Sequence, residues 1–449
     1  MSGVATRRPA WWVPTAYLAE GIPFAMVIWV AGTAFKDLGH SDGEITLATA
    51  SVGIAWSLKP FWAAFLDMAR TKKFFVIAME FLLAALLAGC AAAFALPSYF
   101  RVISLALWAL AFASATQDIC VDGVYITSLD KKQQASWIGV QGMCWNGGRI
   151  FATAAVVGIA GALKNHGHDA KSAWMIALGA SAFVMACLGV YHQLVMPTGS
   201  IGARPESAAA VVRTFLDSGK AFLQKKSILG MLVFVFLYRT GEGFLLVEAP
   251  LFLQAPAKAG GLGLTLAQKA LIDGTISTSI SIVGGLLGAA FAARWGLKKT
   301  LLPLALCMNI PHLCYIVLSH AGAVSLTSIE VLVAVEKFGY SFGFVGNMLY
   351  MMQQIAPGKY KMTHYAFATA LMNLVLVPTQ MASGPLADHF GYKKFFVFVL
   401  VASIPSVIAA WAAPFPNPPD DEGEDAPPRA DRAEPPAGEP ARAEAVRHA

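Results

Sequence analysis

The apolar stretch containing Gln117-Asp118-Ile119-Cys120-Val121-Asp122 places two carboxyl groups four positions apart. That spacing puts both on one helical face, which Tyr125 continues. Two carboxylates in a poorly hydrated setting repel, and desolvation also favours the neutral acid. Either Asp118 or Asp122 is then expected to hold a proton near neutral pH, as a proton-coupling site requires. The competing reading is a permanent ion pair or a helix-end hydrogen bond with Lys59 or Arg149.

Glu20, Lys59, Arg149, Arg239 and Glu242 also interrupt apolar runs. Charges inside a membrane span are expensive, so each asks for a role. Glu20 has no neighbour of opposite sign and is a substrate-site candidate. Lys59 precedes Pro60 and can snorkel to the interface. Arg149 offers a planar fork to a carboxylate or phosphate. Arg239 and Glu242, three apart, can equally neutralise one another. Trp56, Gln117, Tyr125, Gln141 and Trp145 complete the candidate substrate-binding set, because flat rings beside amides and acids suit sugar-like ligands. Trp29, Trp62 and Trp108 follow the same logic. Trp11, Trp12, Trp137, Trp174, Trp295 and Trp411 lie at span ends and read as an interfacial belt. Glu80, Asp273, Glu248 and Glu330 fall near span ends and read as solvated, while adjacent Glu336 and Lys337 should diverge around their helix.

Long apolar helices must hold these groups. The 449 residues are 57% hydrophobic and 13% charged, against roughly 25% charged in a soluble domain. Soluble, disordered, collagen-like and disulfide-rich secreted classes are excluded, leaving an all-α integral membrane protein. Twelve runs are long enough to cross: 11–35, 44–66, 74–96, 101–128, 135–163, 173–195, 228–253, 268–293, 300–319, 327–355, 362–385 and 394–414. Their length, without ten-residue alternation, favours helices over a barrel. No cleavable signal peptide is expected, and the six cysteines read as free apolar thiols.

With the N-terminus inside, cytoplasmic loops hold seventeen bases and outer loops eight, so both termini are expected inside. The loop Asp388-His389-Phe390-Gly391-Tyr392-Lys393-Lys394 looks cytoplasmic but falls outside by this count. The expected organisation is a six-helix bundle over 1–196, a linker with one surface helix over 197–227, a second bundle over 228–414, and a disordered acidic tail over 415–449. Histidine spacing suggests no metal site, and no phosphate-cradling loop or nucleophile–base set is visible. No cofactor, catalytic residue or nucleic-acid partner is expected.

The halves echo each other. Leu38-Gly39-His40-Ser41 and Leu262-Gly263-Leu264-Thr265 each precede a helix ending in basic residues, 224 positions apart at the start. Glu20-Gly21 likewise matches Glu242-Gly243. Gly21 and Pro23 in the first helix, with Gly241, Gly243 and Pro250 in the seventh, suggest interrupted helices facing a cavity or, alternatively, packing kinks.

Tyr17-Leu18-Ala19-Glu20-Gly21-Ile22-Pro23, Leu58-Lys59-Pro60-Phe61-Trp62 with Asp67, and the Gln-Asp-x-x-x-Asp element resemble the AmpG-type muropeptide permeases, of the peptide/acetyl-CoA branch of the major facilitator superfamily. Leu262-Gly263-Leu264-Thr265-Leu266 and Val335-Glu336-Lys337-Phe338-Gly339 extend the match. The resemblance implies the twelve-helix, two-bundle fold and import of anhydro-muropeptides across a bacterial inner membrane on the proton gradient. It also implies that Asp118 and Asp122 match the family's fourth-helix acids and Lys59 its second-helix lysine. The expected partners are a sugar-peptide, a proton and the bilayer, with the chain acting as a monomer. Alternatives are another amphipathic cargo, such as an acetyl-CoA-like molecule or a siderophore, and a non-transporting membrane sensor.

Overall fold

In lipid, a run of about 20 apolar residues must satisfy its backbone N–H and C=O groups internally, and a helix does so. The computed structural model describes residues 8–69, 71–199, 208–322, 324–358 and 360–417. The expected disorder of the tail beyond residue 417, and linker residues 200–207, lie outside the described residues. Among those described, every regular element is helical.

The first half comprises α1 (Pro9–Asp37), α2 (42–69), α3 (Lys72–Ala93), α4 (Tyr99–Ser128), α5 (131–165) and α6 (Ala170–Val195). A short amphipathic helix, α7 (Ala208–Leu223), follows in the linker. The second half begins with α8 (Ile228–Gln254), α9 (Leu266–Trp295), α10 (Leu297–His320) and α11 (326–355). The last apolar stretch, Thr363–Ala412, is 50 residues long, and Gly391 divides it with a φ of 71°. Its two parts are α12 (361–390) and α13 (392–412). Nine described runs qualify as spans by length and apolarity alone. Counting the divided stretch twice and adding α2 and α11 brings the total to the expected twelve.

Each half has its own apolar core. Val27, Leu83, Leu107 and Trp174 belong to a cluster centred in the first half that also takes in Leu251, Leu266 and Ala270 of the second, and Phe234, Leu301, Met308 and Tyr350 belong to one within the second half. Within a half, small residues let helix backbones touch. A Cβ on Gly21 would lie 2.2 Å from the Trp145 carbonyl oxygen, and one on Gly148 2.3 Å from that of Leu18, so α1 and α5 are in backbone contact. Gly284 and Gly288 bring α9 equally close to Phe338 and Phe342 of α11.

The glycines of α1 therefore serve close packing. Pro23 does not break this helix either, which continues through a π turn at Met26–Val30. In α8 the interruption falls at Arg239 (φ −109°, ψ 16°), two and four residues before the expected Gly241 and Gly243 and well before Pro250.

The halves are locked together on the face away from the linker. A Cβ on Gly384 of α12 would lie 2.1 Å from the Asp42 carbonyl oxygen at the start of α2. Asp388 Oδ2 accepts the Gly43 N–H at 2.7 Å, Lys36 is ion-paired with Asp42, and Tyr392 donates to the same carboxylate. These contacts put the 386–394 turn on the same face as the α1–α2 turn, as twelve crossings require.

One part of the expected aromatic belt is corrected. Trp12 and Trp174 are fully buried, and Trp174 Nε1 donates to Asp37 Oδ2 at 2.9 Å. Helix ends packed inside the bundle leave these rings in the core, whereas Trp11, Trp295 and Trp411 are exposed as expected.

Because Gly148 meets backbone, Gly148→Val must separate α1 from α5. We expect it to destabilise the folded protein by about 1–3 kcal/mol or more. Gly139→Ala, on the same helix with nothing within 4 Å of the added carbon, should not lower stability and should raise it by about 0.5–1 kcal/mol through the helix preference of Ala. Thermal unfolding of the purified variants measures both, and equal melting temperatures would refute the backbone contact.

Candidate functional site

Charged and aromatic side chains from α1, α2, α4 and α5 meet residues of α12 around a cavity of about 250 Å³. Glu20, Trp56, Lys59, Asp118 and Trp145 line it from the first half, with Thr369 and Asn373 opposite. Lys59 is ion-paired with Asp118, and their side chains are 26% and 19% exposed, so water still reaches the pair. Asp122, one turn along α4, accepts a hydrogen bond from Tyr17 at 2.8 Å. Glu20 is buried, in the fields of Lys59 and Asp122, and within hydrogen-bonding reach of the Trp145 indole.

The two acids of α4 thus have separate partners. Asp118 faces a cation, the ion-pair alternative left open by the sequence, while Asp122 is held by a phenol. Tyr125 supports this arrangement edge-on, its ring centroid 5.8 Å from that of Tyr17. Phe24 joins Trp56 (4.9 Å), Trp145 (5.4 Å) and Trp29 (5.6 Å) in an aromatic wall. Trp62 and Trp108 gather instead on Phe112, which is itself exposed on the bundle surface.

Other candidates lie elsewhere. Gln117 turns away from the cavity and donates to Glu80 Oε1 at 3.2 Å. Gln141 is half-buried one turn before Trp145. Arg149 stacks over Trp29 at 4.3 Å and feels the charge of Asp273 across the interface between the halves. Its Nε is buried without an acceptor among the described residues. Arg239 and Glu242 form a buried two-point ion pair, with both N–O distances 2.5 Å. Phe344 and Tyr340 close around that pair. The sequence match between Glu20 and Glu242 therefore hides different surroundings: only Glu20 lines the cavity.

Of the acids expected at wet helix ends, Glu80 and Glu248 are fully buried, whereas Asp273 and Glu330 are half-buried. Glu80 Oε1 lies 2.7 Å from His192 Nδ1, and His192 Nε2 lies 2.9 Å from Thr15, linking α3, α6 and α1. Glu248 is fully buried at the locked face. Asp273 lies 3.4 Å from Lys269 Nζ. Glu336 and Lys337 do not diverge; their charged atoms meet at 3.1 Å, and Tyr315 donates to Glu336 at 3.5 Å. Flexible side chains bring adjacent opposite charges together where no water competes.

Sequence reasoning missed Tyr17, Phe24, Ser114, Thr369 and Asn373. Tyr17 carried a signal, since it stands one turn before Glu20 on the same helical face. Asn373, an amide in an apolar run, carried another. Phe24 and Ser114 have types too common in membrane helices to stand out.

A family model described as Major Facilitator Superfamily matches residues 15–376. The chain is 21% identical over 404 residues to "Putative transporter AmpG 4" of Rickettsia conorii, covering 87% of this chain and 92% of that protein. It is 23% identical over 399 residues to "Anhydromuropeptide permease" of Escherichia coli K12, covering 87% and 76%. Among solved structures, the nucleoside transporter NupG (D323A mutant) aligns with a TM-score of 0.70 at 13% identity, covering 90% of this chain and 99% of that one. A bacterial homologue of the human lysosomal transporter Spinster aligns with a TM-score of 0.69 at 13% identity, covering 92% and 98%. These structural likenesses carry the fold.

The two ion pairs should respond differently to loss of a partner. Removing one member of a buried pair typically costs about 3–5 kcal/mol, so Arg239→Met should destabilise strongly. Lys59→Met should cost well under ~2 kcal/mol, because water screens the remaining Asp118. Equilibrium unfolding of both variants tests the contrast, and a larger loss from Lys59→Met would overturn it.

Proposed function

Since the chain belongs to the Major Facilitator Superfamily, we propose that it imports anhydro-muropeptides or a related sugar-peptide across the bacterial inner membrane, coupled to protons. The 1–196 and 228–414 halves rock about the central cavity, and the chain works as a monomer. The linker face, with both termini, is cytoplasmic. The observation that carries this reading is the water-accessible Lys59–Asp118 pair in a cavity walled by Glu20, Trp56 and Trp145.

The chemistry runs by competition for one ammonium group. While Asp118 is ionised it occupies Lys59. A proton on Asp118 removes that claim and leaves the ammonium free for a carboxylate of the peptide portion, with the sugar ring against the Trp56–Phe24–Trp145 wall. Loss of the proton on the cytoplasmic side restores the pair and expels the cargo. Asp122, held by Tyr17 and coupled to Glu20 through the same field, sets how readily the proton arrives. The match to relatives named for AmpG and for anhydromuropeptide permeation supports this cargo class.

Asp118→Asn and Asp122→Asn should each abolish uphill accumulation of labelled anhydro-muropeptide in vesicles given an inward-directed pH step, while leaving membrane insertion intact. Asp118→Asn should retain downhill exchange, since the amide mimics the protonated acid. Full accumulation by both variants would remove the coupling role. Failure of the wild-type protein to take up this cargo, with uptake of another, would remove the cargo assignment.

A further inference from the structure

The locked face carries a carboxyl group that the proposed cycle does not use. Glu248 of α8 is 0% exposed. Neither of its carboxyl oxygens receives an N–H or O–H among the described residues. The Asp42 carboxyl at the start of α2 lies within hydrogen-bonding reach of it. Asp42 already has two donors, Lys36 and Tyr392, and Lys36 also acts on Glu248 through its charge.

The other charges nearby do not neutralise Glu248. Asp388 adds a third acid, occupied by the Gly43 N–H and exposed. Lys269 of α9 donates to the Pro250 carbonyl at 2.6 Å and lies 3.4 Å from Asp273. His40 is bonded to Tyr99 at 2.8 Å and to Glu44 at 3.3 Å. One ammonium, Lys36, therefore stands against two buried carboxyls in contact. Two carboxyl groups can meet at hydrogen-bonding distance in a dry site when one proton lies between them, giving a donor to the oxygen that lacks one.

We propose that Glu248 is a proton-binding site in its own right, which takes up a proton shared with Asp42 as this face closes. The proton comes from the solution bathing that face and returns when the face opens and water reaches the pair. Closure is thereby linked to pH. This rests on alternating access by the two halves but not on the cargo or on the roles of Asp118 and Asp122.

The test is hydrogen–deuterium exchange on the full chain in nanodiscs without cargo, followed in peptides covering 37–47 and 386–392. Rates are corrected for the intrinsic pH dependence of exchange. Across about pH 5.5 to 8.5, the wild-type segments should lose protection as pH rises, by up to roughly tenfold per unit for one linked proton. Glu248→Gln supplies a permanent amide donor to Asp42 and should keep these segments protected with no slope. Asp42→Asn removes the shared proton from the other side and should also flatten the slope. A wild-type profile that is flat over this range, or a Glu248→Gln profile that keeps the wild-type slope, would overturn the proposal. An uptake assay reports on Asp118 and Asp122 separately, so the two readings fail independently.

Discussion

A charge held away from water must find its counter-charge within a few ångströms or be neutralised, an acid by taking up a proton and a base by losing one. That constraint shapes three sites here. In the cavity, Lys59 meets Asp118. In the second half, Arg239 clasps Glu242. At the far face, Lys36 meets Asp42 while Glu248 is left over. Helix positions follow from the same demand, since α2 must bring Lys59 to α4 and α12 must bring Tyr392 and Asp388 to the start of α2.

The three sites differ in how easily they can change. Arg239 holds both oxygens of Glu242 with two nitrogens in a dry site closed by Tyr340 and Phe344, so the pair is a fixture of its half. Lys59 is a flexible point charge on a single carboxylate, and water already reaches it. An ammonium can pass from one carboxylate to another with little reorganisation, which a guanidinium clamped at two points cannot. This contrast supports the proposal that the first-half pair, and not its second-half counterpart, exchanges with protons and cargo.

Much of this was legible in the sequence. The twelve spans stood out because lipid leaves a long apolar helix few alternatives, and the described helices lie within a few residues of the expected edges. The charges that interrupt those spans were also visible, so Glu20, Lys59 and Asp118 could each be singled out as candidates. Their partners could not. Periodicity places Asp118 and Asp122 on one face but says nothing of Tyr17, which comes from another helix. Gln117 belongs to the most specific motif, yet the helix turns it toward Glu80 and His192. The burial of Glu80 and Glu248 was misread because distance from a helix end is a poor guide to water when neighbouring helices extend further. Gly21 was misread for a related reason: a glycine that permits contact and one that permits bending look alike in one dimension.

The contacts within each half and those between the halves also differ in their chemistry. Inside each half, α1 meets α5 and α9 meets α11 through carbonyl oxygens pressed against glycines. Such contacts tolerate little sliding, because a small shift brings backbone into overlap or opens a void. Between the halves at the far face, the ties are Asp388 to the Gly43 N–H and Tyr392 and Lys36 to Asp42. Each of these can be exchanged for water, but Gly384 also presses on the Asp42 carbonyl and Gly274 on the Thr153 backbone, so the seam between the halves is closely packed as well as polar. On the alternating access proposed above, the buried acids on that seam, Asp42 and Glu248, pass between a dry and a wet environment at every opening.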